Sequence, residues 1–170
     1  MGFCYPPPMD YLWTPWRYAY VSGAAPATGC IFCNAPEETD EKSRIVHRGT
    51  HCYAMLNTFP YTNGHVMIAP YAHDKNLSSS DSETLSELIA TVARAEQILS
   101  AAYSTDGLNI GVNLGSAAGA GIPEHYHVHI VPRWKGDTNF MSVAAGVRVV
   151  PEELHVTRRK LAELFARAAA

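Results

Sequence analysis

The pattern of hydrophobic and polar positions predicts five strands and two helices along the chain. Apolar runs and apolar–polar alternation indicate strands near residues 45–48, 51–57, 64–70, 107–113 and 125–132. Ser80 and Glu83 have the spacing of a capping box, which predicts that a long helix starts there and continues to about Tyr103. Its apolar residues recur at helical spacing and are expected to face the core: Leu85, Leu88, Ile89, Val92, Ile98, Leu99 and Ala102.

The two ends of the chain complete the predicted architecture. Proline and glycine interrupt residues 1–44, which predicts an irregular arm, and the polar run 36–42 is expected to be an exposed loop. A final helix is predicted from Pro151, with its basic run 158–160 facing solvent. Because the strands are segregated from one large helix, we predict an α+β fold, with a mostly antiparallel five-stranded sheet, one long helix and a C-terminal helix.

Composition and charge restrict the classes of partner. With 170 residues, of which 47% are hydrophobic, the chain suits one domain with a sizeable core. Its formal net charge of −3 gives no broad basic surface, so duplex nucleic acid is not an expected ligand. No apolar run approaches the roughly 20 residues of a membrane helix, and residues 1–20 lack the basic start and apolar core of a signal peptide. We therefore expect no membrane partner and a cytoplasmic location.

Three histidines alternate with apolar residues in the last predicted strand. Successive side chains of a strand point to opposite faces, so His125, His127 and His129 are expected on one face. The other face is expected to pack into the core through Tyr126, Val128 and Ile130. The outer imidazoles of a straight strand lie about 13 Å apart, so the three cannot share one ion, although neighbours can. The row suits catalysis or a metal site, with a structural or surface role as the third interpretation.

A loop rich in glycine and alanine precedes the histidines. Residues 114–124 connect the strand near 107–113 to the histidine strand. Such a loop lets backbone N–H groups approach an anion without a Cβ in the way. The alternative is an ordinary flexible connection. Because the loop leads directly into the histidine face, we favour a phosphate-binding loop beside a nucleophilic imidazole.

Residues 125–131 resemble the signature of the histidine triad (HIT) family, in which three histidines alternate with apolar residues. The resemblance extends to residues 53–57 and 64–70, which are similar to the two preceding strands of the family, and covers about residues 45–134. Residues 12–17 and 136–140 also resemble the diadenosine tetraphosphate phosphorylase branch. We accordingly divide the chain into three parts: an N-terminal arm with the CxxC sequence (1–44), a HIT catalytic domain (45–150) and a C-terminal helix packed on the same domain (151–170).

The resemblance implies a role for each matching residue. His127 would attack the α-phosphorus of a nucleotide through Nε2 and form a covalent nucleotidyl-histidine, for which a neutral imidazole is suited. His129 would stabilise the α-phosphate oxygens, and His65 would hold the imidazoles in register. The catalytic set is then His127, His129, His125 and His65. The nucleotide- and phosphate-binding set, with Asn57 on the ribose, is Asn57, Asn113, Gly119, Ala120, Gly121 and Trp134. As alternatives, Asn57 ends a strand and His65 is a satisfied core histidine.

One departure from the family pattern bears on the acceptor. Many HIT hydrolases carry a glutamine just before the triad, whereas residues 119–124 contain none. This resembles the phosphorylase branch, in which inorganic phosphate takes the nucleotidyl group, and implies phosphorolysis of diadenosine tetraphosphate to ADP and ATP. The alternatives are hydrolysis of dinucleoside polyphosphates or nucleoside phosphoramidates with release of AMP, a weakly catalytic nucleotide-binding signalling module, and a transition-metal sensor.

The cysteines indicate a second site. Of four cysteines, Cys30 and Cys33 have the CxxC spacing of metal ligands, and two later histidines would complete a tetrahedral Cys₂His₂ zinc site. Unligated thiols and a redox pair are the alternatives. Carried over from the family, the ligands would be Cys30, Cys33, His73 and His125, and the zinc would be structural.

The three tryptophans are the remaining large signals. Trp134 follows the histidine strand and is expected either to line the entrance for a base or second nucleoside or to fill a core or interface. Trp13 and Trp16 are expected to pack against the sheet or a second subunit. The resemblance to the HIT family implies a homodimer.

Overall fold

The predicted strands form one antiparallel sheet in the computed structural model, which describes residues 29–137 and 152–168. The strands are β1 (Ile45–Arg48), β2 (Cys52–Leu56), β3 (Val66–Pro70), β4 (Gly107–Val112) and β5 (Val128–Arg133). Their order across the sheet is β1-β2-β3-β5-β4, and each pair of neighbours is antiparallel. The strand β5, which contains His129 and begins directly after His127, is therefore paired on both sides.

The two longest helices lie on one face of this sheet. The described helices are α1 (Ile31–Asn34), α2 (Asp40–Ser43), α3 (Ser82–Tyr103) and α4 (Leu154–Ala168), with short 3₁₀ turns at Ala35–Glu37, Leu77–Ser79 and Ser116–Ala118. The long helix α3 packs on β2, β3, β4 and β5, and α4 packs on β1 and α3. The predicted α+β fold is confirmed. Among the described residues, none of the helices combines the length and apolar character needed to cross a membrane.

Alternation along the strands separates two apolar clusters. The first joins the sheet to α3 and α4 and includes the predicted Tyr126, Val128 and Ile130. The second lies on the opposite face, where Phe32 of α1 covers side chains of β2 and β3: Tyr53, Met55, Met67 and Ala69. Because side chains alternate, the residues between Tyr126, Val128 and Ile130 must emerge on the Phe32 side.

Two predictions for α3 are wrong in detail. The N-cap is Asp81, whose side chain accepts from the backbone N–H of Thr84, so the helix starts one residue later than the Ser80 capping box predicts. The Ser80 hydroxyl instead contacts Asp74 Oδ2 and the Tyr126 hydroxyl, both at 2.8 Å. Ile89 was predicted to face the core but is 64% exposed, because the sheet contacts a narrower stripe of the helix.

Two predictions for the ends of the described chain are also wrong. Residues 36–42 are not an open loop, since they include the end of a 3₁₀ turn and most of α2. Arg158 does not simply face solvent, because its Nε donates to the Ile45 carbonyl and its guanidinium pairs with Glu41. The segments 1–28, 138–151 and 169–170, with Trp13, Trp16 and most of the 136–140 motif, lie outside the described residues.

Candidate active site

The rings of His125, His127 and His129 lie on one side of the sheet, as predicted, although β5 begins only at Val128. The rings of His127 and His129 are 4.7 Å apart, and Phe32 contacts both His125 and His127. The strand starts later than the predicted residue 125 because the backbone N–H of Tyr126 donates to the Asp74 carbonyl at 2.8 Å and not to a neighbouring strand.

Hydrogen bonding fixes the tautomer of His127. Its Nδ1 lies 3.1 Å from the backbone carbonyl oxygen of His125, which can only accept, so Nδ1 carries the proton. A neutral imidazole then has its lone pair on Nε2. Burial lowers the pKa of His127, although the hydrogen bond to the His125 carbonyl opposes this shift. His127 is therefore a neutral base or nucleophile at about pH 7.

A series of hydrogen bonds through His65 orients His129. The backbone N–H of Tyr61 donates to His65 Nδ1 at 3.1 Å, so His65 carries its proton on Nε2. That Nε2–H donates to His129 Nδ1 at 3.0 Å, which puts the proton of neutral His129 on Nε2. The ring of Tyr61 also stacks on His65, with centroids 4.9 Å apart. This series of contacts leaves the Nε2–H of His129 as a hydrogen-bond donor on a ring whose centroid is 4.7 Å from that of His127.

Close packing requires a glycine immediately before His65. Gly64 has a φ of 74°, and a Cβ there would lie 2.8 Å from a ring carbon of Tyr103. A side chain at this position would displace the turn that carries His65.

Burial keeps His129 uncharged. Desolvation, followed by the proximity of His127, lowers the pKa of His129 to about 4. Since both imidazoles are neutral at about pH 7, one supplies a lone pair and the other an N–H. Such a pair can attack an electrophile while donating to an oxygen attached to it.

The predicted metal ligands form a compact cluster. One ligand atom from each of four side chains lies within 4.8 Å of the others: Cys30, Cys33, His73 and His125. The Sγ atom of Cys30 is 3.3 Å from His125 Nδ1, and that of Cys33 is 3.1 Å from His73 Nδ1. These separations suit a tetrahedral ion with bonds of roughly 2.0–2.3 Å to nitrogen and sulfur.

The tautomer of His125 also fits a metal. Its Nε2 lies 3.0 Å from the Pro70 carbonyl oxygen and therefore donates, which leaves the Nδ1 lone pair facing the two thiols. A backbone carbonyl on the outer nitrogen is a common support for a metal-ligating histidine. Burial and the neighbouring Cys30 raise the pKa of the Cys33 thiol, and a cation between the thiols would reverse this effect. The donor set is thus compatible with zinc.

The loop before the histidines is more ordered than a simple connection. A 3₁₀ turn spans Ser116–Ala118 and ends at Gly119, which has a φ of 83°. The amides of Gly119 and Ala120 donate to the carbonyls of Ser116 and Gly115 at 3.0 and 3.3 Å. Two of the three amides predicted to bind phosphate, those of residues 119 and 120 but not that of Gly121, are thus already engaged within the loop.

The other predicted binding residues lie at different distances from the histidines. Val112 pairs with Val128, so Asn113 follows at the level of His127. Asn57 uses Oδ1 to accept from the Phe59 amide at 2.9 Å, a turn contact of the kind that ends a strand. Trp134 lies beyond the opposite end of β5, where its indole N–H donates to the Tyr103 carbonyl, so the structure does not bring it to His127.

A family model for the HIT domain matches residues 38–136. The chain belongs to the histidine triad family. The predicted resemblance to this family and to its diadenosine tetraphosphate phosphorylase branch is confirmed, because the chain is 39% identical to the AP-4-A phosphorylase of Mycobacterium tuberculosis over 169 residues. That match covers 94% of this chain and 86% of the relative.

Two further HIT proteins are informative. The chain is 33% identical to the asymmetrical bis(5'-nucleosyl)-tetraphosphatase of Schizosaccharomyces pombe, over 56% of this chain and 52% of that one. A zinc-bound histidine triad family protein from Mycobacterium smegmatis has a similar structure, with a TM-score of 0.67 and 26% identity. The superposition covers 83% of this chain and 96% of the M. smegmatis chain. The predicted class is confirmed: the chain is a HIT-family enzyme.

Two side chains of this HIT site were missed by the sequence analysis. Phe32 is 1% exposed, and its ring lies 4.4 Å from that of His127. Its place in the sequence, between Cys30 and Cys33, could have indicated this role. A fold that brings both cysteines to His125 also brings Phe32 to His127. Tyr61 had no comparable signal, because its role depends on a backbone amide.

Proposed function

We propose that this HIT enzyme catalyses phosphorolysis of diadenosine tetraphosphate to ADP and ATP through a covalent adenylyl group on His127. The observation that carries the proposal is the hydrogen bond from His127 Nδ1 to the His125 carbonyl, which leaves Nε2 as the attacking atom. The choice of substrate is supported by the similarity to a protein described as an AP-4-A phosphorylase.

The first step transfers the adenylyl group to the enzyme. The Nε2 lone pair of His127 forms a bond to the α-phosphorus, and the bond from that phosphorus to the bridging oxygen breaks, so that ATP leaves with the bond electrons. The proton on Nδ1 stays in its hydrogen bond to the His125 carbonyl. The adenylated imidazole therefore carries a positive charge, which makes it a good leaving group for the next step.

The second step returns the adenylyl group to inorganic phosphate. A phosphate oxygen bonds to the same phosphorus, the bond to Nε2 breaks, and ADP is released with neutral His127 restored. The Nε2–H of His129 donates to a non-bridging oxygen in both steps and stabilises the charge that develops there. His65 and the Tyr61 amide act indirectly, by keeping the proton of His129 on that nitrogen.

The loop before the triad supports phosphate as the acceptor. Residues 119–124 lack the glutamine that many HIT hydrolases carry, so the loop has no side-chain amide there for a water molecule. We assign phosphate contacts to Asn113 and the amide of Gly121, and to those of Gly119 and Ala120 if the loop rearranges on binding. We assign the ribose to the side-chain amide nitrogen of Asn57. Trp134 is the weakest of the proposed binding residues because of its distance along β5 from His127.

Product analysis tests the reaction directly. The protein is incubated with diadenosine tetraphosphate, with and without inorganic phosphate, and the nucleotides are separated by ion-exchange chromatography. Formation of ADP and ATP only in the presence of phosphate is the expected result. AMP and ATP formed without phosphate would contradict phosphorolysis and establish hydrolysis, which the similarity to the tetraphosphatase supports as the second candidate.

Substitution of the nucleophile tests the covalent step. His127→Ala should abolish turnover, and mass spectrometry of the intact chain should detect an added adenylyl group only in the wild type. His155→Ala is the matched control, because this histidine is exposed on α4 and pairs with Glu153. Near wild-type turnover by His127→Ala would exclude the mechanism. Nucleotide binding without an intermediate in the wild type would favour the signalling module instead.

We also propose a structural zinc ion held by Cys30, Cys33, His73 and His125, which would cross-link the N-terminal segment to the histidine row. The cluster and the similarity to a zinc-bound HIT protein support this assignment.

A homodimer is proposed from the family resemblance. The exposed edge strand β4, on which Ile110 is 45% exposed, offers a surface for the second subunit. Light scattering after size exclusion tests the dimer. The cytoplasmic location stays a prediction from the sequence.

A further inference from the structure

We propose that Phe32 is a positioning residue that couples the Cys₂His₂ cluster to the nucleophile by fixing the orientation of the His127 ring. The inference deepens the proposed function and depends on it only for the kinetic part of the test. It concerns the face of the imidazole, which the hydrogen bond at Nδ1 does not control.

The position of Phe32 is the first observation. Its side chain is 1% exposed and packs on two histidine rings, at 4.4 Å and 34° from His127 and at 5.2 Å and 49° from His125. A single hydrogen bond at Nδ1 leaves an imidazole able to tilt about its Cβ–Cγ bond. A buried aromatic ring against its face removes that freedom, because interior packing leaves no room for the tilt.

The second observation is how weakly the helix around Phe32 is held by its own backbone. The helix α1 has four residues, and its first hydrogen bonds run from the amides of Cys33 and Asn34 to the Cys30 carbonyl. Such a short helix is not stable by itself in water. It is anchored by the Tyr53 hydroxyl, which donates to the Phe32 carbonyl at 2.7 Å, and by the two cysteines. An ion shared with His125 would therefore determine where Phe32 lies.

The two links from the metal cluster to His127 converge. One is a hydrogen bond: His125, a proposed ligand, provides the backbone carbonyl that accepts from His127 Nδ1. The other passes through Phe32, which lies between the two cysteine ligands and covers the same ring. The cluster thus controls both the acceptor and the packing surface of the nucleophile.

The kinetic test compares two buried Phe→Leu substitutions. Phe32→Leu should lower the single-turnover rate of adenylyl-His127 formation about tenfold, since small misplacement of a reacting group is costly, with KM within about twofold of wild type. Phe165→Leu is the matched control, because Phe165 is fully buried but lies in the cluster with α4 on the opposite face of the sheet. It should lower stability without changing the rate. Equal rate losses in both variants would overturn the proposal.

Metal removal gives a cycle with the same variant. Chelation should slow the wild type about tenfold but should slow Phe32→Leu by a clearly smaller factor, because the link through Phe32 is already lost in that variant and only the link through the His125 carbonyl remains. Full additivity of the two losses would overturn the coupling. Elemental analysis should find equal zinc in Phe32→Leu and wild type. Loss of zinc from the variant would make Phe32 a support of the cluster alone and would also contradict the proposal.

An NMR readout needs no substrate and so separates this inference from the proposed function. In ¹³C relaxation spectra, the ring Cε1–H of His127 in the zinc-loaded wild type should be as rigid as the surrounding core. Phe32→Leu should add fast motion of this ring, and Phe165→Leu should not. Unchanged relaxation of the His127 ring in Phe32→Leu would refute the positioning role, whether or not diadenosine tetraphosphate is the substrate.

Discussion

Three backbone groups decide which nitrogen carries the proton in His65, His125 and His127. The carbonyls of Pro70 and His125 hold the protons of His125 and His127, and the amide of Tyr61 directs the proton of His65. Side-chain partners of histidine can change their own protonation, whereas a backbone carbonyl or amide cannot. The lone pair of His127 and the N–H of His129 are therefore determined by the fold.

The depressed pKa of His129 predicts how stability responds to acid. His129 stays neutral in the folded chain down to about pH 4, but in the unfolded chain it binds a proton below about pH 6.5. Between these values the unfolded state binds more protons, so the free energy of unfolding decreases as the pH falls. We expect wild type to lose more stability than His129→Gln between about pH 7.5 and pH 5. Urea unfolding at both values measures this, and equal losses would contradict the burial of a neutral His129.

The helix α3 shows what the sequence could and could not predict at the scale of one element. Its existence and its end at Tyr103 followed from apolar periodicity, and the structure confirms both. The start was displaced by one residue because Ser80 and Asp81 are both suitable caps, and a contact of Ser80 with Tyr126 decides between them. Such a contact joins residues 46 positions apart and is invisible to a local pattern.

Adjacent residues of α3 provide a test of its orientation. Leu88 is 1% exposed and Ile89 is 64% exposed. Leu88→Ala should reduce the free energy of unfolding by about 2–5 kcal/mol, because it leaves a cavity in the core. Ile89→Ala should change it by less than about 0.5 kcal/mol, as is usual for surface positions. Chemical denaturation of both variants measures the difference, and similar losses at the two positions would contradict the observed rotation of the helix.

The histidine strand was predicted more completely than its surroundings. Alternation was enough to place Tyr126, Val128 and Ile130 in the core and the histidines on the other side. The insertion of β5 between β3 and β4 was not predictable, since strand order depends on packing between distant segments. The contact between His65 and His129, 64 positions apart, follows from that insertion. The chemistry of the histidine row was therefore predictable from local alternation, whereas its orientation depends on the topology of the sheet.

At the scale of the molecule, the Cys₂His₂ cluster joins two distant parts of the chain, the N-terminal segment and the histidine row. Protein purified without added metal should contain about one equivalent of zinc per chain, and Cys33→Ser should lose it. Cys52→Ser is the control, because Cys52 is fully buried in the cluster with α3 and has Thr91 and Glu87 as neighbours. Elemental analysis of the three proteins measures the difference. Equal zinc in Cys33→Ser and wild type would exclude the cluster as the site.

The separation of 95 positions between Cys30 and His125 has a consequence for how the chain folds during its synthesis. During synthesis both cysteines leave the ribosome long before the segment that holds their histidine partners is complete. Contacts between distant segments form late in folding, because closing the long loop between them costs conformational entropy before the contacts contribute any stability. The Cys₂His₂ cluster of the nascent chain therefore stays incomplete until the segment with His125 reaches the sheet. At that point the cluster and the hydrogen bond to His127 Nδ1 can form together, so a chain that stops before His125 has neither.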